Sequence, residues 1–364
     1  MKPTFTQHFA TVMMLAAWLL GLPAAAQDSS SKIKTETEQL QQSLSHKPVS
    51  DPEWNELKPD IAAALDRSRA AQQAGRLYLG LEELGRARRM LRSVENEKQS
   101  AEVTKQGLAG FEAEWKKAKV ELTSADQGTQ RVWNGSPAAV RAMAESAHGQ
   151  VPVLVEASKA YASVTSPDAG FYYLGEAKAG SEFATFCYQL HAPRRGTLFS
   201  PRSIQPELQA LQDRVNAAFQ PPGSIDKHRE FIRLNATLKL AGELNTGKLY
   251  AGALYQYLDG MQQFAMLDAA SPDDEKKAAL RRDLAKLGER LKTSKEDDSI
   301  GQLFVERAEA LLDKPSPDDR DWKTAGVIAG QVLPSYFAAK QAAPIEQKLA
   351  NNLVTVTLVR WPYT

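Results

Sequence analysis

The sequence predicts an all-α fold: a helical-repeat superhelix or bundle of about ten helices, with internal duplication and a short extended strand at the C-terminus. Three observations carry this expectation. Ser-Pro pairs punctuate the chain where helices would begin, apolar residues between them recur at intervals of three and four, and a Gly-x-x-Tyr-[Leu/Ala]-Gly unit occurs three times.

At the N-terminus, Lys2 precedes an apolar run from Phe9 to Leu22, and Pro23 leads into Ala24-Ala25-Ala26. This is the pattern of a secretory signal cleaved after Ala26, and the run is shorter than the ~20 residues that span a bilayer. Residues 1–26 are therefore expected to be removed, and the mature protein to be periplasmic or secreted. Of 45 Lys+Arg and 44 Asp+Glu, cleavage takes Lys2 alone and leaves a formally neutral chain. A neutral surface offers little counterion release, so nucleic acid is not an expected partner. No later segment reads as membrane-spanning. Residues 27–50 are polar, rich in Ser, Gln, Lys and Glu, and are expected to form a disordered or loosely helical leader.

Residues 51–350 read as one helical-repeat domain. In Ser166-Pro167-Asp168, Ser271-Pro272-Asp273 and Ser316-Pro317-Asp318, Ser suits the helix cap, Pro the first helical position, and Asp the positive end of the dipole. Leu108, Phe111, Trp115, Ala118 and Leu122 form one helical stripe, and Ile300, Phe304, Ala308, Leu311 and Leu312 another. Asp273 to Asp298, dense in both signs, reads as an exposed amphipathic helix.

The repeated unit comprises Gly75 to Gly80, Gly170 to Gly175 and Gly247 to Gly252, with a degenerate copy from Ala325 to Gly330. Random placement of 22 Gly and 10 Tyr would give roughly 0.04 copies, so duplication is expected. On a helix the Tyr would lie back over the first Gly, with the second Gly on the opposite face. Tyr78, Tyr173 and Tyr250 would then be knobs over glycine holes in the core; if their hydroxyls share an exposed concave face, they form a recognition surface instead.

The stretch from Gln72 to Leu91 resembles the tetratricopeptide pattern at Gly75, Tyr78, Leu81 and Ala87. It lacks that family's Trp, closing Pro and period, so the resemblance implies a helical repeat in kind and no more. Residues 351–364 are the exception to helicity. Leu353 to Trp361 is β-branched and partly alternating, the pattern of a strand. It is expected either to lie in a groove of its own helices with Trp361 as anchor or to extend a partner's sheet.

Familiar chemistry is missing. One cysteine, Cys187, excludes an intrachain disulfide and reads as a buried apolar residue. His46, His148, His191 and His228 lack metal-ligand spacing, and the Cys187/His191 pair supplies two ligands without a third. No metal or cofactor is expected. The acid pairs Glu82/Glu83, Asp273/Asp274, Asp297/Asp298 and Asp318/Asp319 read as solvated faces or helix starts. Arg76, Arg86, Arg88, Arg89 and Arg92 are interspersed with acids, whereas Arg194 and Arg195, with Arg202, are the better candidates to meet an anionic partner. The expectation is an exported, non-enzymatic protein that binds another protein or an envelope component. The alternatives are an envelope hydrolase or lyase with carboxylates converging from different repeats, and a carrier of a small apolar ligand.

Overall fold

A computed structural model of the chain describes residues 24–47, 52–129, 136–190 and 201–341. The described residues are mostly helical and contain no strand, so the fold is all-α. The helices are α1 (Ala24–Ser45), α2 (Pro52–Gln73), α3 (Leu77–Gln99), α4 (Ala101–Thr104), α5 (Gly107–Thr129), α6 (Ala138–Val164), α7 (Pro167–Tyr188), α8 (Gln205–Ala218), α9 (His228–Thr246), α10 (Tyr250–Met266), α11 (Asp274–Lys292), α12 (Ser299–Leu312) and α13 (Asp319–Val327). A π-helical segment, Ile328–Val332, then joins α13 to α14 (Leu333–Gln341). None of these helices is long and apolar enough to cross a membrane. The C-terminal strand expected over 351–364 lies outside the described residues.

Most of each expected stripe is buried, though Leu108 is exposed at the start of the first. Phe111, Trp115 and Ala118 bury one side of α5 against α6 and α7, in a cluster with Val151, Val155, Phe171 and Leu174. Ile300, Phe304, Ala308 and Leu312 bury α12 in the main core. α11 is the exposed amphipathic helix foreseen between Asp273 and Asp298, with Leu284, Gly288 and Leu291 as its buried residues.

The polar leader, expected to be disordered or loosely helical, is helical and packs on the core. It forms α1, whose Ile33, Leu40 and Leu44 enter the main core. The few apolar residues of this segment fall at helical spacing, and α2 and α3 offer a face to receive them. Polar contacts add to this: Thr37 meets Ser68 at 3.4 Å, and Glu36 pairs with Arg88. Composition alone underrates such a segment because its ordering entropy is offset by a groove formed elsewhere in the chain.

The Ser-Pro-Asp units start helices, but by two different routes. Ser166 caps α7 with its own hydroxyl, which accepts from the Ala169 N–H. At the other two sites the cap is the Asp: Asp273 accepts from Lys276, and Asp318 forms a reciprocal capping box with Asp321. Ionised Asp is a strong acceptor at the positive helix end, so the helix starts two residues later than a Ser cap would place it.

The repeated Gly unit also differs from expectation. Only the middle copy lies within a helix, α7, and there the space over Gly170 is filled by Phe111 and Ala162 rather than by Tyr173. The first and third copies straddle helix–turn–helix corners. At the α2–α3 corner, Gly75 is left-handed (φ +73°), its N–H bonds Gln72 O at 3.0 Å, and the Arg76 N–H bonds Ala71 O at 2.8 Å. At the α9–α10 corner the left-handed residue is Lys248 (φ +61°), with Lys248 N–H to Asn245 O at 3.1 Å and Leu249 N–H to Leu244 O at 2.9 Å. Both are Schellman C-caps. Gly75 therefore corresponds to Lys248, 173 positions on (248 − 75), whereas the sequence motif aligns it with Gly247. In the structural register Ile61 matches Leu234, Leu65 matches Leu238, Ala71 matches Leu244 and Leu81 matches Leu254, all buried. The hairpins α2–α3 and α9–α10 are two versions of one unit.

Candidate functional site

The two hairpins meet at a polar junction built by buried carboxyls. Glu306, on α12, accepts from the Leu79 N–H at 2.9 Å and caps the start of α3, which has no side-chain cap of its own. Glu145, on α6, accepts from the Gly252 N–H at 2.7 Å and caps α10 in the same way. Leu79 and Gly252 are equivalent in the structural register, so each hairpin receives a carboxyl from a helix distant in sequence. Asp297 serves two helices, accepting from Ala138 at the start of α6 (2.7 Å) and from Ser299 at the start of α12 (3.1 Å). Burial pushes the Glu306 carboxyl up to about 8 despite its backbone N–H donors. Burial also raises Glu145, where Arg141 at 2.7 Å partly opposes the shift.

Beside these caps lies an ionic cluster. Glu82 (α3) and Tyr255 (α10), again equivalent positions in the two hairpins, are hydrogen-bonded to each other, and Arg307 (α12) closes the group. The Arg307 Nε donates to Glu82 at 2.8 Å, its Nη1 to Asp259 at 3.1 Å and its Nη2 to the Tyr255 oxygen at 2.9 Å, while its plane lies over the Phe304 ring at 4.6 Å. Burial raises the Glu82 carboxyl, but the Arg307 charge and hydrogen bonds outweigh it and hold the group below its ordinary value. Burial and the Glu82 charge hold the Tyr255 proton on its oxygen. The cluster is thus fixed as carboxylate, phenol and guanidinium.

A cleft of about 90 Å³ opens from this cluster, bounded by α3, α6, α7 and α10. Glu82 and Tyr255 line one end, Phe183 and Met143 give it apolar surface, and Arg86, Arg89, Gln150 and Glu176 line it as well. Arg86 and Arg89 are on one face of α3 because they are three residues apart. Arg86 is half-exposed and its nearest carboxylate, Glu83 at 3.6 Å, is held more closely by Arg67 at 3.0 Å. Arg89 donates to the neutral Gln150 amide at 3.1 Å. Burial raises the Glu176 carboxyl, with Arg89 opposing the shift. Such a site can accept a carboxylate or phosphate through two guanidiniums and place it near a carboxyl able to carry a proton.

The residues singled out in the sequence fall elsewhere. Tyr78 is buried in the main core, and its backbone is part of the α3 start that Glu306 caps. Tyr250 is half-buried at the first position of α10. Tyr173 is half-buried on α7, stacked on Tyr161 with ring centroids 4.3 Å apart. Arg194, Arg195 and Trp361 lie outside the described residues. Cys187 is fully buried and its thiol is pushed far up by burial, as an apolar residue would be placed. Among the described residues no group of three His, Cys, Asp or Glu is arranged to hold a metal.

Of the Arg residues that precede or lie on α3, Arg76 pairs with Asp313, Arg88 with Glu36 and Arg92 with Glu95, whereas Arg86 and Arg89 face the cleft. Helical spacing does not separate them, since Arg89 and Arg92 are also three residues apart; the helices that cover each position do. Arg307 and Glu176 gave no sequence signal. No protein-family model, curated protein or solved structure matches the chain.

Proposed function

We propose that this chain is an exported, non-enzymatic binding protein that holds an acidic group of a protein or envelope component in the cleft between its two hairpin units. The observation that carries the reading is the convergence of Arg86 and Arg89 on one cleft, while Arg307, in the adjoining cluster, is committed to Glu82 and Asp259. Two guanidiniums on one helix face favour a planar carboxylate or a phosphate through paired N–H donors. About 90 Å³ admits such a group but not a whole ligand, so the remainder would rest on the surface around the mouth. Export is read from residues 1–26.

The mature chain, residues 27–364, immobilised and exposed to envelope extract, is expected to retain a component that added glutamate or phosphate elutes. The double charge reversal Arg86→Glu, Arg89→Glu should abolish that retention, and equal capture by both forms would reject the reading.

One observation favours a second reading, an envelope hydrolase or lyase. Glu82 and Glu176 reach the cleft from different helices; burial acts on both, but Arg307 holds Glu82 below its ordinary value while the Glu176 carboxyl is raised. If envelope glycans are turned over and Glu176→Gln stops turnover while leaving retention intact, the enzyme reading replaces the first. A carrier of apolar ligands is disfavoured by the small volume and charged walls of this cleft.

A further inference from the structure

A second cleft, of about 500 Å³, lies at the start of α7, away from the Arg86/Arg89 cleft, and its size falls within the ~300–1,000 Å³ of small-ligand sites. Its walls are Tyr172 and Tyr173 on α7, Glu97 and Lys98 at the end of α3, and Ser166 and Asp168 at the α6–α7 corner. Tyr161, on α6, does not line the cleft itself but packs on Tyr173, which does. It is stacked on Tyr173 at 4.3 Å with the planes only 18° apart, and Tyr172 meets Tyr173 edge-on at 5.7 Å. With one face covered by Tyr173, Tyr161 is still 44% exposed, so its outer face is turned to solvent.

The geometry points to a carbohydrate-binding site, in which one pyranose ring packs its C–H face on Tyr161 and the neighbouring sugar reaches the polar cleft. Three features select this class. A single exposed ring face beside polar side chains suits a ligand with one apolar face and a rim of hydroxyls. The polar rim of Glu97, Lys98, Ser166 and Asp168 suits the hydroxyls of a neighbouring sugar. Glu97 and Asp168 outnumber Lys98, so the cleft carries a net negative charge and favours neutral or amino sugars over acidic ones. Carboxylates accept from sugar hydroxyls, and the ammonium of Lys98 donates to them.

This site does not depend on the acidic-group cleft, because Tyr161, Ser166 and Asp168 do not line that cleft. The test is saturation-transfer NMR on the mature chain with chitobiose and maltotriose, followed by titration of whichever sugar responds. Wild type and Tyr161→Phe should bind alike, since stacking is retained. Tyr161→Ala should weaken binding at least about tenfold, the factor that 1.4 kcal/mol of lost contact carries. Asp168→Asn is expected to weaken it less, with unchanged thermal unfolding showing that the fold is intact. Absence of saturation transfer from either sugar at wild type, or equal binding by Tyr161→Ala, overturns the assignment.

Discussion

Glu306 ties the pH dependence of stability to one buried contact. Its carboxyl is 4% exposed, accepts from the Leu79 N–H, receives the Gln302 amide at 3.0 Å, and has no cation in contact among the described residues. Burial raises it from its ordinary 4.5 to about 8. In that window the folded state binds a proton that the unfolded state has released, so stability falls as pH rises from 4.5 through 8. At 1.36 kcal/mol per pH unit across this span, the loss at pH 8 and above is about 5 kcal/mol. Glu306→Gln imitates the protonated form: its carbonyl still accepts from Leu79, and no charge can develop.

Urea unfolding of wild type and Glu306→Gln at pH 4.5, 6, 7 and 9 isolates this residue, because every other titrating group is common to both. Equal stabilities within ~1 kcal/mol are expected at pH 4.5, with the variant more stable by about 5 kcal/mol at pH 9. Parallel curves across the range would mean that Glu306 is ionised in the fold and would refute the argument. Glu306→Ala gives the complementary result, a loss of ~1–3 kcal/mol even at pH 4.5 because backbone N–H groups of α3 lose their acceptor.

Four other outcomes follow from the packing. Lys248→Gly should stabilise by about 1 kcal/mol in thermal unfolding, because Lys248 occupies a left-handed corner that glycine enters without strain. Gly175→Ala should destabilise by ~1–3 kcal/mol: its Cβ would sit 2.7 Å from Arg92 O and 2.8 Å from Ser93 Cα, backbone atoms that move only if α3 and α7 separate. Leu44→Ala, at a site 1% exposed, should cost ~2–5 kcal/mol; no change would show that α1 does not dock on the core. Arg307→Met strands Glu82 in its buried cluster and should cost ~3–5 kcal/mol in denaturant unfolding at neutral pH, with part of that recovered in the double variant with Glu82→Gln.

Helix positions were legible because their signals are local. Apolar stripes such as Phe111, Trp115 and Ala118 show which face is buried whatever they pack against, and the Ser-Pro-Asp units show roughly where helices begin. The choice between Ser166 as cap in one unit and Asp273 or Asp318 in the others turned on a shift of two residues that local propensity does not resolve. Duplication was visible too, though in the wrong register. Matching Gly247 to Gly75 follows letter identity, whereas the corner geometry matches Lys248, since backbone hydrogen bonding defines a C-cap and a Lys can occupy it at modest strain.

The sequence by itself determined the all-α class, the approximate helix boundaries, the buried stripes and the near balance of charge, because each rests on contacts within a turn or two or on composition. Tertiary structure alone decided that the polar leader docks as α1, that Glu306 and Glu145 cap helices far from them in sequence, and that Arg86 and Arg89 share a cleft with Glu176. Desolvation is the reason. A carboxyl is an ordinary surface acid or a raised, buried one according to what covers it, and the covering helices come from the far end of the chain.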